Sequence, residues 1–390
     1  MQKPSKQPGQ NLHLHPSSKR RVFSREGKIT YRIPALIYTS DCQTFFAFAE
    51  KRKTEDDSDA DVLVMSRGKR VDGKVEWSSP DALATARLEG YRTMNPCPIY
   101  KSNKLFLFFI CVLGNTPEHE QIQTGINKAR LCYISSADHG KSWTKITDLT
   151  ESVIGDEIAN WATFAVGPGH GIQLKSGRLI VPAYVYYTDK RSDAKTSSSP
   201  CTTSCAMAFY SDDDGKTWKM GEKMKTESNE CQMAELFDEE GKSHLYCNAR
   251  TKSGHRVEAW SKSSGIVFDR HYCSQELVET GNGCQGSVLA VHAQDKEKSS
   301  SASDINTWLL HSHPSDNKSR KNLAVYLNKT PLKNSFWSKP LIIHNGPSGY
   351  SDLTQCEDSK SFACLMECGE KSECEGISFV EFTYDATSNK

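Results

Sequence analysis

The sequence predicts an all-β fold, a six-bladed β-propeller of four-stranded antiparallel blades. The first observation is a near repeat, because residues 136–143 (SADHGKSW) and 211–218 (SDDDGKTW) share the pattern Ser-x-Asp-x-Gly-x-x-Trp. Each copy follows a stretch with strand character, so it falls where two antiparallel strands need a turn. A decayed copy at 261–268 (SKSSGIVF) and a fainter one ending near Trp337 show that the unit recurs. Recurring units of this kind are typical of small sheets packed around an axis.

The residue types of the repeat explain why it makes a turn. An Asp carboxylate can accept hydrogen bonds from nearby backbone amides, and Gly adopts the positive φ that tight turns need. The terminal Trp re-enters the sheet as an apolar anchor. The repeat therefore predicts fold and says little about chemistry.

The length of 390 residues fits one domain of this kind. Six blades of roughly 60 residues each use nearly everything after Arg21. We therefore expect a single domain over residues 22–385. Residues 1–21 are rich in Pro, Gln, Lys and Ser without an apolar core, and predict a disordered basic arm.

Composition excludes some classes of function. With 49 Lys and Arg against 48 Asp and Glu, the net charge is +1, and the global field that nucleic acid binding requires is missing. None of the 14 cysteines shows the paired Cys-x-x-Cys spacing of a structural zinc site. His311 and His313 alternate in a strand ahead of a proline, which favours packing over metal binding. We expect no metal and no cofactor.

The sequence also limits how the chain could meet a membrane. The longest apolar run, residues 105–113, suits a buried strand and is too short to span a bilayer. The N-terminus has neither the pattern of a secretory signal nor the Gly needed for myristoylation. Basic residues of the arm predict a peripheral, salt-sensitive association with the cytosolic face of membranes, and a cytoplasmic protein is the alternative.

Charged residues inside apolar segments mark candidate functional positions. Arg32 lies among strand-forming residues in Tyr-Arg-Ile-Pro, where an arginine is unfavourable unless it pairs with something. The segment from Glu50 to Asp61 is rich in carboxylates, and directly follows an apolar strand. Such a cluster is usually a solvated loop, but it can also supply the carboxylic acid that protonates a leaving glycosidic oxygen.

Together these features resemble the sialidase (neuraminidase) family. The Ser-x-Asp-x-Gly-x-x-Trp repeat resembles its Asp-box, and Tyr-Arg-Ile-Pro resembles its early arginine motif. The narrower matches are Asn-Pro-Cys-Pro at 95–98, Trp-Ala-Thr-Phe-Ala-Val-Gly-Pro-Gly-His-Gly at 161–171 and Gly-Tyr-Ser-Asp-Leu at 349–353. They are most similar to vertebrate cytosolic-side sialidases, particularly the plasma-membrane-associated ganglioside sialidases. The Thr188 to Ser204 loop and the Ser/Lys-rich insertion from Gln294 to Asp304 depart from that pattern.

The resemblance implies a role for each of several residues. Three arginines, Arg32, Arg250 and Arg320, would clamp the carboxylate of an acidic sugar through forked charge-assisted hydrogen bonds. Tyr350 would be the nucleophile, Glu230 its base, and Asp57 the general acid and later the general base. Asp56 and Asp59 are close enough in sequence to remain alternatives for the acid. Further substrate-binding positions are Glu50, Arg52, Met94, Asn95, Glu118, Tyr184, Tyr186 and Gln285.

A tyrosine nucleophile suits this substrate class. Sialic acid carries its carboxylate on the anomeric carbon, so an approaching phenol avoids the repulsion that an Asp or Glu would meet. The implied function is an exo-α-sialidase that removes terminal α-linked sialic acids from gangliosides, oligosaccharides and glycoproteins, with net retention. A sialic-acid-binding propeller without turnover is the alternative, and transglycosylation would use the same residues.

Overall fold

The computed structural model describes residues 11–188, 201–292, 307–333, 336–357 and 360–387. Residues 1–10 of the predicted arm lie outside these ranges. So do residues 189–200 of the expected loop before Ser204, and the whole insertion from Gln294 to Asp304.

The described residues form 26 β-strands and very little helix, which confirms the all-β prediction. The strands are β1 (Asn11–Pro16), β2 (Arg20–Ser24), β3 (Thr30–Thr39), β4 (Thr44–Arg52), β5 (Ala60–Val71), β6 (Lys74–Trp77), β7 (Asp81–Ala82), β8 (Tyr91–Lys101), β9 (Lys104–Leu113), β10 (Ala129–Ser136), β11 (Thr147–Asp148), β12 (Trp161–Val166), β13 (Ile172–Gln173), β14 (Leu179–Thr188), β15 (Thr202–Ser211), β16 (Lys219–Met220), β17 (Cys231–Phe237), β18 (Ser243–Ala249), β19 (His255–Ser261), β20 (Arg270–Val278), β21 (Ser287–His292), β22 (Thr307–Pro314), β23 (Lys321–Asn328), β24 (Leu341–Gln355), β25 (Ser361–Cys368) and β26 (Gly376–Thr387).

Helical segments are short. The α-helix α1 covers Glu118–Thr124, and 3₁₀ turns cover Asp57–Asp59, Gly155–Asn160 and Glu373–Glu375. A single π-helical turn covers Thr150–Ile154.

The prediction of six separate four-stranded blades is wrong. The described strands form four blade-sized sheets, β3–β7, β8–β11, β12–β16 and β17–β20, of five, four, five and four strands, and one sheet of eight strands. The larger sheet is continuous because β24 is long: its first half pairs with β23, and its second half pairs with β25. One 15-residue strand therefore joins two groups of strands into a single sheet.

The N-terminal segment also differs from the predicted disordered arm. Residues Asn11–Pro16 and Arg20–Ser24 are strands β1 and β2, and both pair with β26. The edge of β26 offers unpaired backbone groups, and pairing satisfies them whatever the composition of the added strand. This partner is more than 350 residues away in sequence, so local composition carried no sign of it.

The repeats make the turns that their residue types predict. The Ser136 hydroxyl accepts a hydrogen bond from Gly140 N at 2.9 Å, and the Asp138 carboxylate accepts one from Ser142 N at 2.9 Å. The second copy repeats this geometry. Its Trp218 meets Phe108 of the preceding sheet edge to face, with ring centroids 4.5 Å apart. Each complete repeat thus closes a hairpin and links neighbouring sheets.

The apolar core lies between neighbouring sheets in a propeller-like arrangement. Near its centre, the buried Asp352 carboxylate of β24 joins distant parts of the chain. It accepts hydrogen bonds from Leu36 N at 2.8 Å and Ser287 Oγ at 2.7 Å, and lies 2.7 Å from His170 Nδ1. This carboxylate connects the first sheet to the last, and it is two residues from Tyr350.

Candidate active site

Thirteen of the fourteen residues predicted for the site line one cavity of about 610 Å³. They are Arg32, Glu50, Arg52, Asp57, Met94, Asn95, Glu118, Tyr184, Tyr186, Glu230, Arg250, Arg320 and Tyr350. They come from all five sheets or the loops between them, so the closed arrangement of the sheets brings them together.

Tyr350, Glu230 and Arg250 form the centre of the pocket. Glu230 directly precedes β17 and Arg250 directly follows β18, and the pairing of these strands sets the two residues side by side. Arg250 donates from Nη1 to Glu230 Oε2 at 2.7 Å and to the Tyr350 hydroxyl at 3.1 Å. The Tyr350 hydroxyl in turn donates a short hydrogen bond to Glu230 Oε1. A phenol, a carboxylate and a guanidinium thus contact one another.

The surroundings of the Tyr350 hydroxyl favour its neutral, protonated form. Burial raises the pKa of Tyr350 well above its ordinary value, and the nearby Glu230 charge adds to the effect. Arg250 and Arg320 oppose the shift. Glu230 already accepts the phenol hydrogen, so it is the group placed to take that proton.

Arg320 covers the tyrosine ring. Its guanidinium carbon lies 5.2 Å from the ring centroid of Tyr350, and its Nη2 donates to the carbonyl of Gly283 at 3.2 Å. A cation over an aromatic face is attracted by the ring quadrupole. Arg320 is therefore fixed from one side by a carbonyl and from the other by the ring.

The third arginine is held by a carboxylate that sequence reasoning missed. Arg32 Nε donates to Glu367 Oε1 at 2.7 Å, and Arg32 Nη2 donates to Oε2 at 3.2 Å. Glu367 also accepts from Ile33 N at 2.9 Å and Tyr350 N at 3.0 Å. Burial opposes ionisation, but Arg32 and these hydrogen bonds hold the pKa of Glu367 below its ordinary value. One fully buried carboxylate thus sets the positions of Arg32 and the Tyr350 backbone.

Glu50 and Arg52 form the floor of the pocket, beneath the loop that carries Asp56, Asp57 and Asp59. Arg52 donates from Nε to Glu50 Oε2 at 2.8 Å, and both side chains are fully buried. Burial raises the pKa of Glu50 despite the adjacent guanidinium. Arg52 Nη1 reaches Asp57 in a short ion pair, although the Asp57 side chain is 62% exposed. Glu50 and Arg52 therefore hold the loop as well as line the pocket.

The geometry separates Asp57 from the other two candidate acids. Asp56 accepts from Ser58 N at 2.9 Å and so caps the 3₁₀ turn. Asp59 accepts from Thr54 Oγ1 and does not line the cavity. Of the three carboxylates, Asp57 alone is paired with the pocket floor.

The opposite wall combines a carboxylate and two tyrosines. Glu118, the first residue of α1, accepts from the Tyr184 hydroxyl at 3.1 Å. It is open to the pocket space, yet the surrounding protein and the charge of Glu230 raise its pKa to about 7. The Tyr186 hydroxyl accepts from Asn229 Nδ2 at 2.8 Å. This wall offers polar groups and apolar ring surface together.

Met94 and Asn95 lie in β8, where the pairing with β9 is interrupted. Asn95 has φ of 59°, and its backbone N donates to Glu50 Oε1 at 2.7 Å. The irregularity turns this part of the strand toward the cavity, as β-bulges next to active sites do.

Gln285 is the predicted substrate-binding residue that does not reach the cavity. It is 1% exposed, and its amide bonds to the backbone of Pro168 and Ser351. Its Nε2 donates to the carbonyls of Pro168 and Ser351, and its Oε1 accepts from Ser351 N, so both ends of the amide are used. The side chain therefore supports the residue after Tyr350 from behind. Gln285 was predicted to contact substrate, and in the structure it instead supports the backbone of β24.

Two charged residues, one behind the pocket and one lining it, stand in segments where the sequence carries a usable signal. Glu367 stands in the apolar stretch FACLMEC of β25, where a carboxylate needs a partner. Arg92 also lines the cavity, and donates to the carbonyls of Gly114 at 2.8 Å and Thr116 at 2.6 Å. It holds the loop that leads to α1. Neither residue was singled out from the sequence, because their partners lie far away along the chain.

Across the described ranges, no group of three or more His, Cys, Asp or Glu side chains is placed to hold a metal ion. His313 lies 3.0 Å from Glu279, and His311 lies 3.0 Å from the carbonyl of Ser287. Within the same ranges, none of the helices has the length and apolar character to cross a bilayer.

The sequence of this chain is similar to one family model and to several known proteins. Residues 43–363 match the family model described as a BNR repeat-like domain. Human Sialidase-3 is 47% identical over 385 residues, covering 91% of this chain and 90% of that protein. Sialidase-2 of Cricetulus griseus is 42% identical, covering 94% and 96% respectively.

Solved structures show the same fold at low identity. Trypanosoma rangeli sialidase in complex with 2,3-difluorosialic acid, a covalent intermediate, matches with a TM-score of 0.70 and 20% identity. The match covers 96% of this chain and 59% of the solved chain, so this chain spans less than two thirds of that structure. Hadza microbial sialidase Hz136 matches with a TM-score of 0.70 at 21% identity, covering 90% of this chain and 65% of that one.

The fold and the pocket define a glycoside hydrolase that takes an acidic sugar, since three arginines converge beside a tyrosine and its carboxylate partner. The sequence match at 47% identity over 91% of this chain shows which family of glycoside hydrolases it is. This chain belongs to the sialidase family.

Proposed function

We propose that the protein is a retaining exo-α-sialidase, which hydrolyses terminal α-linked sialic acids through a tyrosyl-enzyme intermediate. The observation that carries the proposal is the contact of Tyr350 with both Glu230 and Arg250. A phenol needs a base to become a nucleophile, and here the base already accepts its hydrogen bond. The catalytic unit proposed is residues 22–385, with β1 added at its edge.

Substrate binding is assigned to the arginines. Each guanidinium has five N–H donors, and Arg32, Arg250 and Arg320 each spend only part of them on protein partners. The remaining donors suit a carboxylate, which accepts forked hydrogen bonds. The Tyr184 and Tyr186 wall would meet the rest of the sugar. Terminal sialic acids of gangliosides, oligosaccharides and glycoproteins all present this group.

The first displacement breaks the glycosidic bond. The Tyr350 proton passes to Glu230, the phenolate oxygen attacks the anomeric carbon, and the leaving oxygen takes a proton from Asp57. Arg250 touches both the Tyr350 oxygen and Glu230, so it stabilises charge as the proton moves. The products of this step are the free aglycone and a sialyl-tyrosine.

The second displacement regenerates the free enzyme. Asp57, now a carboxylate, takes a proton from water, and the water oxygen displaces Tyr350 from the anomeric carbon. The phenolate regains its proton from Glu230. Two inversions give net retention. Because the Asp57 side chain is 62% exposed, solvent and acceptor can reach it.

The direct test is release of free sialic acid from a fluorogenic sialoside. Turnover with retained configuration supports the proposal, while binding of a sialic acid analogue without turnover would favour a binding protein. Added lactose separates hydrolysis from transglycosylation, since a sialylated lactose product appears only if an acceptor sugar competes with water.

We also propose a peripheral, salt-sensitive association with the cytosolic face of membranes. Basic residues of the N-terminal segment support it, since each contributes about 1 kcal/mol near an anionic leaflet. A high-salt wash of the membrane fraction should release the protein. If the protein is soluble before the wash, the cytoplasmic alternative is correct; if it resists salt and carbonate, another anchor holds it.

A further inference from the structure

A second buried carboxylate, Glu279, lies behind the pocket and touches no part of the cavity. It is 2% exposed and follows β20. Its Oε1 accepts from Thr251 N and from Arg256 Nη1, both at 3.1 Å. Its Oε2 accepts from Cys284 N at 3.2 Å and lies 3.0 Å from His313 Nε2. Four groups from separate segments therefore meet at one carboxylate.

Two of these groups are backbone amides next to pocket residues. Thr251 directly follows Arg250, so the hydrogen bond from Thr251 N fixes the chain where the Arg250 side chain begins. Cys284 directly follows Gly283, whose carbonyl accepts from Arg320 at 3.2 Å. The backbone carbonyl of Asn282, the residue before Gly283, accepts from Arg250 Nη2 at 3.1 Å. The segment 282–284 therefore carries acceptors for two arginines, and Glu279 holds its end.

The backbone at Gly283 packs closely against the segment that carries Arg250 and Thr251. Gly283 has φ of 86°, and a Cβ there would lie 2.6 Å from the Thr251 carbonyl and 2.9 Å from Arg250 Cγ. The two segments that Glu279 connects are thus in direct contact. A small shift of either one moves the stem of Arg250.

The Arg256 guanidinium and the other hydrogen-bond donors keep Glu279 charged. Burial opposes ionisation, but Arg256 and His313 lower its pKa to about 2. Arg256 is itself fully buried and also donates to the Cys284 carbonyl at 2.8 Å. Removing the Glu279 charge therefore breaks the ion pair of a buried guanidinium.

We propose that Glu279 is a positioning residue for Arg250 and Arg320, and the proposal rests on the sialidase function given above. Glu279 contacts neither substrate nor the reacting atoms. It sets the geometry of two of the three arginines that bind the substrate carboxylate. Its loss should therefore weaken binding of an acidic sugar more than it slows the chemical step.

The test compares two buried glutamates in the full chain. Glu279→Gln removes the charge behind the arginines. Glu258→Gln is the matched control, because Glu258 is 0% exposed but binds Tyr246 and Trp337, away from the pocket. KM and kcat are measured on a fluorogenic sialoside, Ki on a 2,3-didehydro analogue of sialic acid, and Tm by thermal unfolding.

We expect Glu279→Gln to raise KM and Ki about tenfold, as for loss of charge-assisted hydrogen bonds, with kcat within about threefold of the wild type. Glu258→Gln should lower Tm and leave KM within about twofold. A Glu279→Gln variant with unchanged KM and Ki and a lowered Tm would overturn the proposal, because it would show a purely structural role.

A second variant covers the case in which Glu279→Gln does not fold. His313→Leu removes one of the four partners of Glu279, and should raise KM and Ki about threefold. Unchanged values in this variant would also overturn the proposal. If the protein is not a sialidase, the result differs, because the wild type would bind the analogue without cleaving the sialoside. The Ki values of the variants would then test the positioning role of Glu279 by themselves.

Discussion

Tyr350 and Glu230 share a short hydrogen bond, and Arg250 contacts both of them. The two residues are 120 positions apart in sequence and come from different sheets. Their contact gives a buried phenol a proton acceptor and a neighbouring positive charge.

Tyr350→Phe should lose nearly all turnover and keep its affinity for a transition-state analogue. The phenol oxygen forms the bond to the sugar, whereas the arginines bind the carboxylate. We expect kcat to fall about 10³-fold or more, with Ki within about threefold. Steady-state kinetics and inhibitor titration measure the two effects. Activity like that of the wild type would show that another residue is the nucleophile.

Arg320→Lys should mainly weaken binding. A lysine keeps the charge but cannot supply forked donors or the planar contact with the Tyr350 ring. KM should rise about tenfold, since hydrogen bonds to charged groups contribute about 1.5–3 kcal/mol. Arg87→Lys is the control, because Arg87 makes an exposed ion pair with Asp61 at 2.8 Å. Equal KM values for the two variants would place Arg320 outside the binding site.

Glu118 should make substrate binding depend on pH. Its pKa of about 7 exceeds the ordinary value of 4.5, so it is protonated below pH 7 and ionised above. An ionised carboxylate on the pocket wall repels an acidic sugar, so KM of the wild type should rise about threefold as pH passes 7. Glu118→Gln should remove this rise, and Glu120→Gln in the same helix should retain it. Identical KM profiles for wild type and Glu118→Gln would contradict the prediction.

The same shift has a consequence for stability. Between pH 4.5 and 7, folded Glu118 holds a proton that the unfolded chain has released. Its raised pKa therefore lowers stability as pH rises through this interval. The Tm of Glu118→Gln minus that of the wild type should increase over the same interval, as thermal unfolding can show.

Asp352→Ala should be strongly destabilising. The change leaves Leu36 N, Ser287 Oγ and His170 without their buried acceptor. We expect the free energy of unfolding to fall by about 3–5 kcal/mol. Asp238→Ala removes a similar Asp–His contact, at 2.8 Å from His244, from a more exposed position and should destabilise the protein much less. Urea unfolding of both variants tests this contrast, and equal losses would refute it.

Features determined by neighbouring residues could be predicted from the sequence. The repeats at 136–143 and 211–218 make their turns because Ser, Asp and Gly bond within a few residues. Tyr-Arg-Ile-Pro marked Arg32 because an arginine in a strand is conspicuous. The resemblance to a family supplied residues with no local signal, such as Glu118, and the structure places them around one cavity.

Features determined by distant partners could not be predicted in this way. The long β24 joins two groups of strands, and β26 recruits β1 from the far end of the chain. Glu367 and Glu279 bond to segments far away in sequence, so only the folded chain shows what they hold. Gln285 had the right motif but the wrong orientation for substrate, because its amide is used by the backbone.

Covalent trapping can show whether Tyr350 forms a bond to the sugar. The protein would be incubated with 2,3-difluorosialic acid, digested with protease and analysed by mass spectrometry. The account predicts a sialyl adduct on Tyr350 that forms in the wild type and is absent from Tyr350→Phe. An adduct on Glu230 or Asp57, or none at all while the enzyme turns over a fluorogenic sialoside, would contradict it.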